Sequence, residues 1–183
     1  NGLAASRINK YNEAVKSFNK GLAYVENNKD LELQFYTFLA ETYYEIKDFK
    51  KSDYYYDQVI KEQPDNVYVL NNYSYYLSLR DEKLDYAEQL SKKTILAEPN
   101  NSTYLDTYAW ILYKQKKYAE ALIYIKRAYL NGGDKNDVIV EHYGDIQYKN
   151  GNLDEAVQLW EKSKELGNKS EQLQIKIDTR KLE

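Results

Sequence analysis

Cysteine is absent from this sequence and histidine occurs once, so several kinds of chemistry are excluded at the start. Without cysteine the chain can form no disulfide, no thiol nucleophile and no thiolate metal site. This absence is compatible with either an oxidising or a reducing compartment. Because His142 is the single histidine, a transition-metal site is not expected. The sequence also contains no glycine-rich phosphate loop, nucleophile elbow or dinucleotide fingerprint, and it therefore predicts no bound cofactor.

Long apolar runs and strong positive charge are missing as well. No run approaches the ~18 apolar residues that a membrane-spanning helix requires, and no signal-peptide pattern is present. The net charge is −3 at pH 7, and basic runs such as residues 114–117 are too short to form an electrostatic surface for a phosphate backbone. The sequence therefore predicts no membrane-spanning segment and no nucleic-acid partner.

The sequence does contain a repeated pattern. Residues 84–99 read LDYAEQLSKKTILAEP, and residues 118–133, which begin 34 positions later, read YAEALIYIKRAYLNGG. In both segments a large residue is followed three places later by alanine. The same frame recurs at 11–26, 49–64 and 153–168, always with a large residue first and a small residue fourth. A fixed period near this length predicts stacked units, because each repeat then forms one supersecondary motif.

A second frame lies upstream of four of these copies, at residues 36–43, 70–77, 105–112 and 140–147. Its fifth place is always small, and large residues surround that place at spacings of three and four. Such spacing predicts one apolar helix face with a notch, which lets a partner helix approach closely. Each unit is therefore predicted to be a pair of helices. The notch residues are Ala40, Ser74, Ala109 and Gly144.

The combined pattern resembles the tetratricopeptide repeat, a helix–turn–helix unit of 34 residues with small residues at fixed places and proline at the thirty-second. The two prolines of the chain, Pro64 and Pro99, occupy that place in successive repeats. The resemblance implies an all-α fold, a right-handed α-α superhelix or solenoid of antiparallel helix pairs. It divides the chain into residues 1–168, with one truncated and four complete repeats, and residues 169–183, a capping helix. The alternative for this last segment is a helix that docks on a partner.

The helices can be placed from the repeat register and from their stop signals. Residues 1–9 are predicted to be the end of a truncated helix, and because the chain starts at Asn1 without methionine we interpret it as a piece of a longer protein. In the turn between paired helices the family often has glycine. Only Gly151 matches this, while Lys47 and Lys116 stand at the equivalent places. Pairs are predicted at about 31–46 with 49–62, 66–79 with 84–97, 101–114 with 118–130, and 137–149 with 153–166.

His142 is the natural place to look for catalysis, since Asp145 lies one helical turn away and Glu141 is adjacent. A base oriented by a carboxylate also needs a nucleophile or an activated water, and no residue of the sequence fixes one. We therefore predict no catalytic residue, no metal site and no enzyme activity. Most of the 21 tyrosines fall where the repeat needs a large residue, which core packing explains.

The resemblance also implies a binding face. In the family the first helix of each pair lines a concave groove, and its contact positions fall here on aromatic, amide and acidic residues. Aromatic rings offer apolar pockets, and asparagine side chains can bond the backbone of an extended peptide. The family version that grips a C-terminal carboxylate with basic residues is not supported, because Thr37, Glu41, Thr103 and Thr107 stand at its positions. The implied groove residues are Glu41, Tyr44, Tyr68, Asn71, Asn72, Tyr75, Asp106, Trp110, Tyr113, Glu141, Asp145 and Tyr148.

The resemblance implies a non-enzymatic protein–protein interaction scaffold that binds a peptide or protein segment in this groove. Because Asp106, Glu141 and Asp145 are acidic, the partner is predicted to carry basic residues, with Trp110 as the central anchor. The alternative role for Trp110 is packing between neighbouring repeats. The alternative function is RNA binding by the related pentatricopeptide array, since three of the intervals are 35 residues, although that class requires a basic face.

The order of motifs between Asn71 and Leu122, from NNYSYYL to KKYAEAL, has a further resemblance. It is similar to envelope-associated repeat proteins of Gram-negative bacteria, some of which are lipoproteins. This resemblance favours the bacterial cell envelope or periplasm over the cytoplasm.

Overall fold

The structure, a computed structural model, describes residues 10–25 and 28–182. All regular structure within these residues is helical, with no β-strand, and no helix among them is long and apolar enough to cross a membrane. One turn of 3-10 helix, Gly133–Lys135, lies between the seventh and eighth α-helices. The ten α-helices of this part of the chain are α1 (Tyr11–Leu22), α2 (Lys29–Glu45), α3 (Phe49–Glu62), α4 (Val67–Leu79), α5 (Leu84–Ala97), α6 (Ser102–Lys114), α7 (Tyr118–Leu130), α8 (Asp137–Lys149), α9 (Leu153–Glu165) and α10 (Glu171–Thr179).

The all-α architecture of consecutive helix pairs predicted from the sequence is confirmed over the residues that the structure describes. The eight helices of the four predicted pairs are present, with ends that differ from the predicted ones by at most two residues. Within pairs, α2 packs on α3, α6 on α7, and α8 on α9. The truncated helix predicted for residues 1–9 lies outside the described residues.

The chain divides into two compact units, Asn1–Tyr73 and Ser74–Glu183. In the first unit, α2 packs against both α1 and α3, and Phe18, Leu39 and Tyr43 are buried together in its core. Burial of such side chains is the main stabilising contribution, at roughly 1.5–3 kcal/mol for each.

In the second unit, each helix from α5 to α9 packs against the next one along the chain. Leu112, Ile125 and Val140 lie in the core between α6, α7 and α8. A separate cluster of buried residues, Ala156, Trp160 and Leu173, lies between α9 and α10, and these two helices pack on each other.

Small residues lie where paired helices approach each other. Gly144 on α8 shows the physical reason, because a Cβ atom there would lie 2.5 Å from Cδ1 of Trp160 and 3.2 Å from the carbonyl oxygen of Ala156. These distances are shorter than van der Waals contact, so alanine would force α8 and α9 apart. The alanines at corresponding places are completely buried: Ala40, Ala87, Ala109, Ala121 and Ala156.

The turns between paired helices place one residue in the left-handed region at the same repeat position. The φ angles are 62° at Lys47, 64° at Lys116 and 86° at Gly151. Glycine adopts this conformation without cost, whereas for a lysine it costs roughly 1 kcal/mol. The longer turn between α4 and α5 contains two such residues, Asp81 and Lys83. The turn geometry is therefore kept even where the glycine expected from the family is absent.

Asparagine side chains fix the starts of the helices that carry the candidate site in the second unit. Oδ1 of Asn101 accepts hydrogen bonds from two backbone N–H groups in the first turn of α6, and Oδ1 of Asn136 does the same for α8. Such capping contributes about 1 kcal/mol to a helix. Pro99, which precedes α6, cannot continue the helix before it.

Candidate functional site

All twelve predicted groove residues lie on the first helices of the pairs. The side of α2, α4, α6 and α8 that carries them is called the first-helix face below, and it is described separately in each unit. Glu41, Tyr44, Tyr68, Asn71 and Asn72 belong to the first unit. The second unit contains Tyr75, Asp106, Trp110, Tyr113, Glu141, Asp145 and Tyr148.

In the first unit, Glu41 on α2 accepts two hydrogen bonds from α4. The Tyr68 hydroxyl donates to its Oε1 at 2.7 Å, and Nδ2 of Asn72 donates to the same oxygen at 3.1 Å. Both donors are neutral. Burial raises the pKa of Glu41, although the hydrogen bonds from Tyr68 and Asn72 oppose this. The Glu41 carboxylate is therefore oriented but carries no cationic partner within the described residues.

The neighbours of this carboxylate differ in accessibility. Tyr68 is 53% exposed, and its hydroxyl is held by Glu41. Asn71 is buried, and its Nδ2 lies 3.4 Å from Oδ1 of Asn72. Tyr44 packs against Phe49 with ring centroids 5.5 Å apart. Of the two predicted amide contacts, Asn72 is therefore the one placed at the surface.

In the second unit, Trp110 belongs to a stack of aromatic rings. Its centroid lies 3.9 Å from that of His142 and 4.7 Å from that of Tyr113, with interplanar angles of 14° and 12°. Two rings stacked this closely cannot share one face of the indole, so Trp110 lies between them. Its buried Nε1 has no hydrogen-bond acceptor in the described part of the chain. This geometry supports packing between neighbouring repeats, and the role of Trp110 as a ligand anchor stays a prediction.

His142 joins the stack to a buried carboxylate. Its Nδ1 lies 2.9 Å from Oδ1 of Asp106, and both side chains are buried. Burial disfavours the imidazolium form, but the Asp106 carboxylate, with contributions from Asp145 and Glu141, outweighs it and raises the pKa of His142. Asp106 is therefore paired with His142 inside the unit rather than presented to a partner.

The two other acidic residues of the second unit are paired with Lys176 of α10. Its Nζ donates to Oε1 of Glu141 at 2.7 Å and to both carboxylate oxygens of Asp145 at 2.9 Å. Burial opposes the charged ammonium, but Asp145 and Glu141 together outweigh it and raise the pKa of Lys176. Lys176 and Glu141 are half-buried and Asp145 is buried, so removal of the ammonium would leave the Asp145 carboxylate without its cation inside the fold.

Further hydrogen bonds complete this network. Nε1 of Trp160 donates to Oδ1 of Asp145 at 2.9 Å, and Nδ2 of Asn168 donates to Oε2 of Glu141 at 2.7 Å. Side chains from the α9–α10 segment therefore bind both acidic residues that were predicted to line the groove on α8, Glu141 and Asp145.

Tyr75 and Tyr148 are half-buried on the same face. The Tyr75 ring lies 6.5 Å from that of His142, and the Tyr148 ring lies 5.8 Å from that of Trp160. Nζ of Lys149 lies 5.8 Å from the centre of the Tyr148 ring. These two tyrosines combine an anchored ring with partial exposure, which is typical of contact residues.

Sequence reasoning missed Lys176, Asn168 and Trp160 as neighbours of the site. A signal for Lys176 was present, because it follows Glu141 by 35 positions, which is one repeat length. A side chain at that distance lies on the next element of the stack. The donors from Trp160 and Asn168 depend on side-chain directions that the repeat pattern does not specify.

The described residues contain no group of three or more histidine, cysteine, aspartate or glutamate side chains placed to hold a metal ion. What the site offers is an oriented carboxylate, an exposed tyrosine and an amide in the first unit, and a packed aromatic surface in the second. These features suit recognition of polypeptide through ring contacts and hydrogen bonds.

Sequence comparison identifies the repeat directly. Residues 33–66 match the family model described as tetratricopeptide repeat. A TPR repeat-containing protein of Pseudomonas aeruginosa is 36% identical over 70 residues, which is 38% of this chain and 12% of that protein. The match therefore spans only a small part of the curated relative.

Solved structures with low sequence identity share the fold. PilW, titled a widely conserved type IV pilus biogenesis factor, aligns with a TM-score of 0.83 at 19% identity over 98% of this chain and 82% of its own. The pilF protein of Pseudomonas aeruginosa aligns with a TM-score of 0.78 at 18% identity, over 97% of this chain and 80% of its own. A thermophilic TPR protein of Thermus thermophilus aligns with a TM-score of 0.76 at 17% identity, over 98% of this chain and 94% of its own. The resemblance drawn from the sequence is confirmed: residues 33–66 match the tetratricopeptide-repeat model, and the described helices have the tetratricopeptide-repeat fold.

Proposed function

We propose that this chain is a non-enzymatic interaction scaffold whose first-helix face binds a segment of a partner protein. Tetratricopeptide-repeat folds are consistent with such a role. Fold alone does not name a ligand, so the proposal rests on the geometry of the face itself.

The observation that carries the proposal is the cluster of Glu41, Tyr68 and Asn72. Side chains from α2 and α4 meet there, and the hydrogen bonds at 2.7 and 3.1 Å hold the exposed tyrosine ring in one orientation. Because these groups are already ordered, a ligand loses less side-chain entropy on binding to them. A prearranged exposed tyrosine is also typical of residues that dominate binding energy at interfaces.

The charge preference of the partner is proposed to be set at Glu41. Asp106, Glu141 and Asp145 have internal partners, so a basic ligand would have to displace His142 or Lys176 to reach them. Glu41 accepts only from neutral donors and can also bind an ammonium or guanidinium group. The predicted preference for basic partners is therefore assigned to the first unit.

In the second unit the proposed contacts are apolar. Tyr75 and Tyr148 keep part of their rings exposed, whereas Trp110 supports the surface from within the stack. A partner segment would bind here by covering ring surface.

A photo-crosslinking experiment tests the proposal with a matched pair of tyrosines. Benzoylphenylalanine is introduced at Tyr68 or, as a control, at Tyr54 on α3, which is 57% exposed compared with 53% for Tyr68. In cells that naturally make the protein, we expect the Tyr68 variant to give discrete crosslinked protein products that the Tyr54 variant lacks. The same products from both positions, or products from Tyr54 alone, would contradict a binding role for the first-helix face.

A second arm tests the charge preference separately. Glu41→Gln keeps the size of the side chain and an acceptor oxygen but removes the charge. We expect it to lower the yield of the Tyr68 crosslink. An unchanged yield would leave the interaction face in place and show that the preference for a basic partner is wrong.

A further inference from the structure

A second candidate binding surface lies in the second unit, between α7 and α9. It is a cleft of about 340 Å³, which places it at the lower end of the roughly 300–1,000 Å³ typical of ligand pockets. Its walls are the second helices of the last two repeats, and Tyr143 of α8 contributes to its floor, whereas none of the residues assigned to the first-helix face line it. The lining residues are Lys126, Tyr129, Leu130, Tyr143, Glu155, Gln158, Leu159 and Lys162.

The floor of this cleft is apolar and ordered. The rings of Tyr129 and Tyr143 meet edge to face with centroids 5.4 Å apart, and Leu159 is buried beside them. On α7, Leu130 is 76% exposed, and Ile123 is 59% exposed on the same helix face, seven residues earlier. Single exposed apolar residues are common on protein surfaces. Here the exposed Leu130 lies at a preformed cleft with an aromatic floor.

The rim of the cleft is basic. Nζ of Lys162 donates to the Tyr129 hydroxyl at 2.6 Å and lies 4.5 Å from the centre of that ring. Across the described residues, neither Lys162 nor Lys126 has a carboxylate within ion-pair distance. Both ammonium groups are therefore available to an anionic partner.

The lining contains one acidic residue, Glu155, and no ion pair joins it to either lysine among the described residues. The lining therefore carries two positive charges and one negative charge on a chain whose net charge is −3. Charge complementarity favours an acidic occupant at this position.

We propose that the α7–α9 cleft binds an acidic segment of a partner protein, which inserts an apolar side chain against Tyr129 and Leu159 and pairs its carboxylates with Lys126 and Lys162. The scaffold would then hold two partners of opposite charge preference through different sets of residues. This second surface depends on its own residues and does not require the first-helix face to bind anything.

A display library of randomised short peptides tests this proposal on the full chain. Peptides are selected on the native protein and counter-selected on the double variant Lys126→Glu/Lys162→Glu. We expect the retained peptides to be enriched in aspartate and glutamate together with a leucine, isoleucine or phenylalanine. Individual peptides should bind the double variant weaker by roughly an order of magnitude, since two attractive rim charges become repulsive.

Controls separate the cleft from a general charge effect. Lys61→Glu/Lys92→Glu changes the same number of exposed charges away from the cleft and should leave binding unchanged. When a peptide binds, the amide chemical shifts of residues 126–130 and 155–162 should change. Leu130→Asp should reduce binding. Thermal unfolding checks that each variant is folded. The proposal would be overturned if no peptide were enriched or if the enriched peptides lacked acidic residues. An equal loss of binding in the control variant, or chemical-shift changes confined to the first helices, would also overturn it.

Discussion

At the residue scale, His142 is the single histidine of the chain, and the ordinary pKa of imidazole, 6.5, lies close to neutral pH. It stacks on Trp110 and pairs with Asp106, so it joins α8 to α6 through two contacts. The carboxylates of Asp106, Asp145 and Glu141 favour its protonated form more strongly than burial opposes it. Protonation of this one residue therefore strengthens the contact between two neighbouring first helices.

The sign of the pH effect follows from this raised pKa. A group with a higher pKa in the folded state stabilises the fold fully below its unfolded value, and this stabilisation is lost as pH rises through the folded value. We expect the free energy of unfolding of the native protein, relative to His142→Gln, to be greatest below pH 6.5 and to fall as pH rises through and above neutrality. Urea unfolding of both proteins at a series of pH values measures this difference.

A companion variant checks the cause of this effect. Asp106→Asn removes the carboxylate nearest to the imidazole, and it should lower the pKa of His142 and move the loss of stability to lower pH. A stability difference that is constant with pH, or that grows toward alkaline pH, would contradict the ion-pair role of His142.

At the scale of the helix, the spacing of small residues determines how close two helices lie. Ala121 on α7 is completely buried, while Ala119, two positions earlier on the same helix, is exposed. The sequence predicted the close contact at Ala121 because the fourth place of each repeat frame is small in every copy. Helix packing of this kind is encoded locally, by periodicity and residue volume.

Leucine at these two positions provides a matched test. Ala121→Leu should lower the free energy of unfolding by roughly 1–3 kcal/mol, because the larger side chain overpacks the contact between α7 and its neighbours. Ala119→Leu adds the same atoms at an exposed place and should change stability by less than about 0.5 kcal/mol. Thermal and urea unfolding provide the measurements. If both variants unfold like the native protein, the proposed repeat register is wrong.

The partners of the charged side chains were harder to predict from the sequence than the helices. The repeat pattern placed Glu141 and Asp145 correctly on a first helix, but their pairing with Lys176 depends on how α10 packs against the preceding repeat. Similarly, the pattern assigned Trp110 to the face without showing that His142 and Tyr113 enclose its indole. Periodicity determines which face of a helix a residue occupies, whereas these contacts arise only when neighbouring repeats pack.

At the scale of the whole molecule, charge distinguishes a protein-binding scaffold from an RNA-binding repeat array. The chain has 26 lysines and arginines and 29 aspartates and glutamates. Several lysines are paired internally, among them Lys114 with Asp81, Lys117 with Glu88, and Lys176 with Glu141 and Asp145. Affinity for single-stranded nucleic acid requires many cations along one path, because each neutralised phosphate contributes through release of counterions.

We therefore expect no measurable binding of fluorescein-labelled polyuridine at physiological salt. The two lysines of the α7–α9 cleft could neutralise only about two phosphates. For single strands the logarithm of the binding constant falls with the logarithm of the salt concentration with a slope of roughly −0.7 per neutralised phosphate, so such contact is weak at physiological salt. Fluorescence anisotropy measures binding, with Lys126→Glu/Lys162→Glu as the matched control for contact at the cleft. The RNA-binding alternative would be favoured by binding that is still measurable at physiological salt and in the control variant. Its binding constant should then fall linearly and steeply when both it and the salt concentration are plotted as logarithms. In contrast, an acidic peptide bound through the cleft should depend only moderately on salt, since its apolar contacts with Tyr129 and Leu159 are not screened.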